Sequence, residues 1–161
     1  MNLEFVIIGD VTMDSVSELI RLIGKAYADE MTATLQYQMA AHIARGPGYC
    51  DAVPEYLQHM KEEFDHANEI LKRLEQLGVS MMLDYSEIQQ AGNSWTPIKT
   101  KNVKEQLAIL IKAEENARDF YKKITELARD EEDWITNRLF KQLMSDEEEH
   151  RVDLLRIYEG L

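Results

Sequence analysis

One cysteine, three prolines, seven glycines and two tryptophans are all that this 161-residue chain holds of those residues, and each scarcity removes a class of answer. The lone cysteine, Cys50, can form neither a disulfide within the chain nor a Cys-x-x-Cys metal or redox motif. The reduced cytoplasm is therefore the expected compartment. So few Gly and Pro residues disfavour a fold of many short strands joined by tight turns. No apolar run approaches the roughly 20 residues of a membrane span. The run Phe5-Val6-Ile7-Ile8 is short and has no basic residue before it, so neither a secretory signal nor a membrane anchor is expected. Positive charge is also in deficit. Eighteen Lys and Arg against 30 Asp and Glu leave a net charge of −12, which repels phosphate backbones and makes nucleic acid an unexpected partner.

What the chain does hold is Ala, Leu, Glu, Lys, Gln, Arg and Met, the residues that favour long helices. With 45% apolar residues it reads as an all-α protein, one domain over residues 1–161. Residues 1–13 form an N-terminal extension. The first helix is expected from a cap at Asp14 or Ser15, with Glu18 closing a capping box on Ser15. Its stripe of Val16, Leu19, Ile20, Ile23, Ala26, Tyr27, Leu35 and Met39 stops at Gly46-Pro47-Gly48. A second helix is expected from Asp51 as cap, with Pro54 in its first turn and an apolar stripe of Leu57, Met60, Phe64, Ala67, Ile70, Leu71 and Leu74. It ends at Gly78. A third starts at Asn102, with Glu105 three residues later, and carries Leu107, Leu110, Ile111, Ala117, Phe120, Tyr121, Ile124 and Leu127. The acidic turn 130–133 leads to a fourth, through Trp134, Leu139, Phe140, Leu143, Leu154, Leu155 and Ile157. Residues 79–101 lack helical periodicity. A connection of that length in a compact bundle is expected to carry the chain from one end to the other, between helices 2 and 3.

Two of the four histidines share a context. His66 follows Glu63 by three residues, and His150 follows Glu147 by three. At that spacing a helix projects both side chains from one face, a turn apart, where they can reach one metal ion. Glu30 lies 33 residues before Glu63, and Glu114 lies 33 before Glu147, so the whole set repeats at an offset of 84. Nineteen of the residues are Glu, so one Glu-x-x-His arises easily by accident; two histidines sharing both offsets do not. Two helices giving a Glu each, and two giving Glu-x-x-His, is the ligand rule of dinuclear carboxylate bundles. Carboxylates with two imidazoles suit Fe or Mn. Without a metal, four inward glutamates would repel one another and be costly to desolvate.

The surroundings repeat as well. Tyr37 and Tyr121 each lie seven residues after Glu30 and Glu114, two turns along the same face, placed to hydrogen-bond a ligand carboxylate across the bundle and so to act at the catalytic centre. Glu62 and Asp146 each precede a ligand His by four and are placed to accept a proton from a ligand imidazole, fixing that ring's tautomer. His42 and His59 lack the pattern, although His59, four before Glu63, lies near the same face.

On these residues the chain resembles the ferritin-like superfamily, closest to bacterioferritins and the Dps-like bacterioferritin relatives. The carriers, over roughly Leu19 to Tyr158, are Tyr27-Ala28-Asp29-Glu30 with Tyr37, Glu62-Glu63-Phe64-Asp65-His66-Ala67, Ala113-Glu114 with Tyr121, and Asp146-Glu147-Glu148-Glu149-His150. The resemblance implies a ferritin-like four-helix bundle holding two Fe ions per chain, with Mn as the alternative metal. It implies a ferroxidase that oxidises Fe(II) with hydrogen peroxide or dioxygen, for iron storage and protection against oxidative stress. A rubrerythrin- or manganese-catalase-like peroxidase without mineral storage is the rival reading. Phe64 stands where bacterioferritins place a haem-ligating Met, so haem is not expected. Only about eleven residues follow His150, leaving no room for a fifth helix and pointing to a homo-oligomer, either a Dps-like dodecamer or a smaller assembly.

Overall fold

The computed structural model describes residues 6–7, 18–80 and 98–161. Four helices make up nearly all of it: α1 (Glu18–Ile43), α2 (Tyr49–Gln76), α3 (Val103–Asp130) and α4 (Trp134–Glu159). Two short strands, β1 (Val6–Ile7) and β2 (Val79–Ser80), pair antiparallel beside them. The expected caps at Asp14 or Ser15, and the part of the crossover from 81 to 97, lie outside the described residues.

Helices α1 and α2 form one hairpin and α3 and α4 a second. Three contacts fix how the hairpins are joined. Arg45, just after α1, donates its backbone N–H to Lys101 O at 2.7 Å. Arg73, near the end of α2, reaches Asp133 and Thr136 at the start of α4. Gly48, at the start of α2, lies against the C-terminal Leu161. Helix α3 therefore begins at the end of the bundle where α1 finishes, opposite the end where α2 finishes. The connection between α2 and α3 must run the length of the molecule, and among the described residues no fifth helix follows α4.

The second helix begins three residues earlier than the sequence suggests. Its cap is Gly48 in the left-handed region (φ 81°), with no side-chain hydrogen bond, so Asp51 lies inside the first turn. A Cβ at Gly48 would stand 2.7 Å from Leu161 Cδ1, and both the backbone angle and the close approach call for glycine. Asn102 caps α3 as expected, accepting from Glu105 N at 3.1 Å. Asp133 caps α4 through Thr136 N at 3.0 Å and also receives both Arg73 bonds at 2.8 Å. One carboxylate thus holds a helix start and ties α2 to α4. Asp133→Ala is expected to lower unfolding free energy by about 2 kcal/mol, read from urea melts, because cap and ion pair are lost together.

The core is divided. One cluster joins Leu19, Ile23, Ile70, Leu74, Ile124, Phe140 and Leu143 at the end where α2 finishes. The other joins Ala40, Ala52, Tyr56, Leu107, Leu110 and Leu154 at the opposite end. Between them the inward positions are polar. This also corrects the expected stripe of α2: Leu57 and Phe64 are 41% and 49% exposed, and Met39 and Trp134 point outward too. The inward face of α2 is Tyr56, His59, Glu63, His66, Ile70 and Leu74. Its middle was assigned to polar groups, so apolar periodicity alone picks out neighbouring positions round the helix.

Candidate metal centre

All six side chains singled out by the doubled spacing meet in that polar layer. Glu30 and Glu114 come from α1 and α3, and Glu63, His66, Glu147 and His150 from α2 and α4; all six are buried. Their ligand atoms fall into two overlapping groups, each within 4.8 Å: Glu30, Glu63, His66 and Glu147, then Glu63, Glu114, Glu147 and His150. Glu63 and Glu147 belong to both. His66 Nδ1 lies 3.2 Å from Glu63 Oε2 and 3.5 Å from Glu147 Oε1. His150 Nδ1 lies 3.3 Å from Glu63 Oε1 and 3.6 Å from Glu147 Oε2. Each shared carboxylate thus turns one oxygen toward each histidine.

The supporting groups act crosswise. Tyr37 donates to Glu114 and Tyr121 to Glu30, each tyrosine serving the glutamate of the other hairpin. Glu62 on α2 meets His150 Nε2 at 3.0 Å, and Asp146 on α4 lies 3.6 Å from His66 Nε2. Each acid thus meets a ligand imidazole, the one on the opposite helix. With Nε2 turned outward to an acid, Nδ1 is the nitrogen presented to the centre. Sequence spacing passed over His59 as a part of this layer. It is 1% exposed, stacks on His150 with ring centroids 4.1 Å apart, and meets Tyr37 OH at 3.2 Å. The only signal for it was its place four residues before Glu63.

The electrostatics are those of crowded, buried carboxylates beside two imidazoles. Burial, then the charges of Glu63 and Glu147, hold the Glu30 and Glu114 carboxyls well above the usual range. Burial acts to raise Glu63 too, but the imidazoles of His150 and His66 outweigh it and hold Glu63 well below that range. Burial would lower both imidazoles, yet Glu147 and Glu63 push His66 up to about 10 and His150 up to about 12. His59, desolvated and facing His150, falls to about 4. Without metal, two imidazolium groups are the counter-charge of two buried carboxylates. Even so, Glu63 Oε1, Glu147 Oε1 and His150 Nδ1 are buried with no well-aligned hydrogen bond. Such orphaned atoms need an explanation, and an ion between them is the simplest. The donor set fits Fe or Mn.

The ferritin-like domain family matches residues 20–159, a stretch that spans all four helices. The chain belongs to the ferritin-like family. A bacterioferritin of Brucella melitensis biotype 1 is 26% identical to this ferritin-like chain over 144 residues, covering 89% of the chain and 83% of the relative. Among solved structures, the dodecameric thioferritin of Bacteroides fragilis, a bacterioferritin-related protein, superposes with a TM-score of 0.84 at 24% identity, covering 88% of this chain and 84% of that one. Dps from Thermosynechococcus elongatus gives 0.82 at 18% identity, covering 86% and 88%. These two likenesses establish the ferritin-like fold, and no described helix is long and apolar enough to cross a membrane.

Proposed function

We propose that this ferritin-like chain is a ferroxidase, taking two Fe(II) per chain as substrate and oxidising them with hydrogen peroxide or dioxygen within a homo-oligomer that stores the Fe(III) product. One observation carries the reading: two buried four-residue ligand groups share Glu63 and Glu147, so two ions would be held side by side. A pair of Fe(II) supplies the two electrons that take one hydrogen peroxide, with two protons, to two waters, so no one-electron radical need escape. Glu63 and Glu147 bind both ions. Glu30 and Glu114 bind one each and are held in position by Tyr121 and Tyr37. Glu62 and Asp146 keep the imidazole Nδ1 atoms turned inward. Burial screens the pair from bulk water.

The apolar side chains left outside the bundle, Met39, Leu57, Phe64, Trp134 and Ile135, favour assembly with further copies, and the B. fragilis relative makes twelve the expected number. Two Fe(II) per metal-free chain followed by oxidant, watched by stopped-flow absorbance, tests the chemistry. Fast oxidation saturating at two per chain is expected, falling to the rate of free Fe(II) in His66→Ala/His150→Ala. Wild-type protein no faster than free Fe(II) would overturn the reading. Iron retained far above two per chain separates storage from a peroxidase.

A further inference from the structure

The buried pair is approached from one side by a cleft. Between α2 and α4 a cleft of about 290 Å³ runs from solvent to the histidine side of the centre. Its walls carry Glu62, Asp146, Glu149 and Asp153, and His66 and His150 line its inner end. His59 lies on the same wall, with Nε2 3.2 Å from Glu55 Oε1. Ligand atoms of Glu55, His59 and Asp153 all fall within 4.8 Å of one another. Two come from α2 and one from α4, so the group exists only in the folded bundle.

We propose that Glu55, His59 and Asp153 form a third cation site, for a divalent transition metal, at the side of the cleft leading to the paired centre. Hydrogen-bond accounting makes His59 the decisive member. It rests on the paired-centre reading for one step, Glu114 acting as a ligand. A metal-bound carboxylate only accepts hydrogen bonds, so the single Tyr37 proton goes to Glu114. The tyrosine oxygen can then only accept from His59, whose Nδ1 is 3.2 Å away. With its proton on Nδ1, the buried ring turns the lone pair of Nε2 toward the Glu55 carboxylate. A cation placed between Nε2 and that carboxylate, 3.2 Å apart, would take a lone pair from each. Imidazole with two carboxylates is a donor set for Fe(II), Mn(II), Co(II) or Zn(II).

Access and competition both fit. The side chains of Glu55 and Asp153 are each 25% exposed, so an ion from solvent reaches them. Arg156 donates to Asp153 Oδ1 at 2.8 Å, but it is 73% exposed, a pairing of little strength, and Oδ2 stays free for a metal. From this site the path inward is short. His59, Glu62 and His150 form a further group within 4.8 Å, and the His59 ring lies flat against that of His150. A cation held at Glu55, His59 and Asp153 is thus staged one side chain from the pair.

Anaerobic titration of the metal-free full chain with Co(II), counted by equilibrium dialysis and visible absorbance, tests the site. Wild type is expected to bind three Co(II) per chain. Glu55→Gln/Asp153→Asn is expected to bind one fewer, with unchanged far-ultraviolet circular dichroism. Glu30→Gln/His66→Ala leaves Tyr37, Glu114 and His59 in place and is expected to lose one ion of the pair while keeping the third. A Glu55→Gln/Asp153→Asn variant that binds as many as wild type would overturn the proposal. So would cobalt anomalous scattering from wild-type crystals with no peak at His59 Nε2, a result that needs no variant to fold. If instead Glu30→Gln/His66→Ala binds as many as wild type while Glu55→Gln/Asp153→Asn loses one, the paired centre fails and the third site stands.

Discussion

Glu63→Gln is expected to remove both ions of the pair, not one. Glu63 is fully buried, with Oε2 3.2 Å from His66 Nδ1 and Oε1 3.3 Å from His150 Nδ1. A single carboxylate therefore belongs to both ligand groups, and an amide in its place cannot bridge. Glu62→Gln reaches the pair through the outer nitrogen of His150; loss of such an outer partner weakens metal binding about 10- to 100-fold. Glu63→Gln should exceed that loss, by more than about 100-fold, and should do so for both equivalents. It has a second signature without metal. One of the two carboxylates that balance the buried imidazolium groups disappears, and an uncompensated buried charge costs about 3–5 kcal/mol. Dialysis with Co(II) and urea melts of the metal-free chain measure the two effects. Loss of one equivalent only, with stability unchanged, would show that Glu63 is not shared.

The convergence of the six side chains was legible because ligand geometry is written twice, at the same offsets, on helices whose type composition makes plain. The reach of each tyrosine across the bundle was legible too, but the histidine that each outer acid serves was not. Spacing along α2 puts Glu62 four residues before His66, yet its imidazole partner is His150, because the facing helix brings that ring closer. Nothing in one sequence encodes which of two antiparallel helices leans over the other. The start of α2 was hidden for a different reason. Gly48 caps it by backbone angle and by room for Leu161, whereas Asp51, three residues on, has the side chain that usually marks a cap. Glu55 and His59 have Leu139 and Leu143 at the offset of 84, so repetition could not reveal them. The N-terminal caps and residues 81–97 of the crossover lie outside the described residues.

Loading the pair is expected to release at least two protons per chain at pH 7. His66 is held up to about 10 and His150 up to about 12, burial notwithstanding, by Glu147 and Glu63. Both rings are therefore protonated at neutral pH and must lose a proton before Nδ1 can bind a metal. Glu30 and Glu114, raised chiefly by burial, add to the release. Two protons make the overall constant for two ions rise about 100-fold per pH unit, or about 10,000-fold from pH 6 to pH 8. The metal-free fold responds in the opposite sense. The raised imidazoles contribute stability that is complete below about 6.5 and is lost as pH climbs through 10 toward 12. Glu63, held low, contributes stability present above about 4.5 and lost on acidification. Calorimetry with Zn(II) in buffers of different ionisation enthalpy counts the protons. Release of fewer than one would mean that the rings are neutral before metal arrives.

Each tyrosine and each outer acid reaches across from its own hairpin to a ligand of the other, and each shared glutamate does the same. Neither hairpin alone owns a complete coordination shell. A pair of ions is therefore a rivet through the seam between two halves, fastening the docking of one on the other rather than stiffening either. A duplicated helical hairpin with half a shell would have gained the chemistry only on meeting its twin, and an intact centre reports that the halves have closed in register.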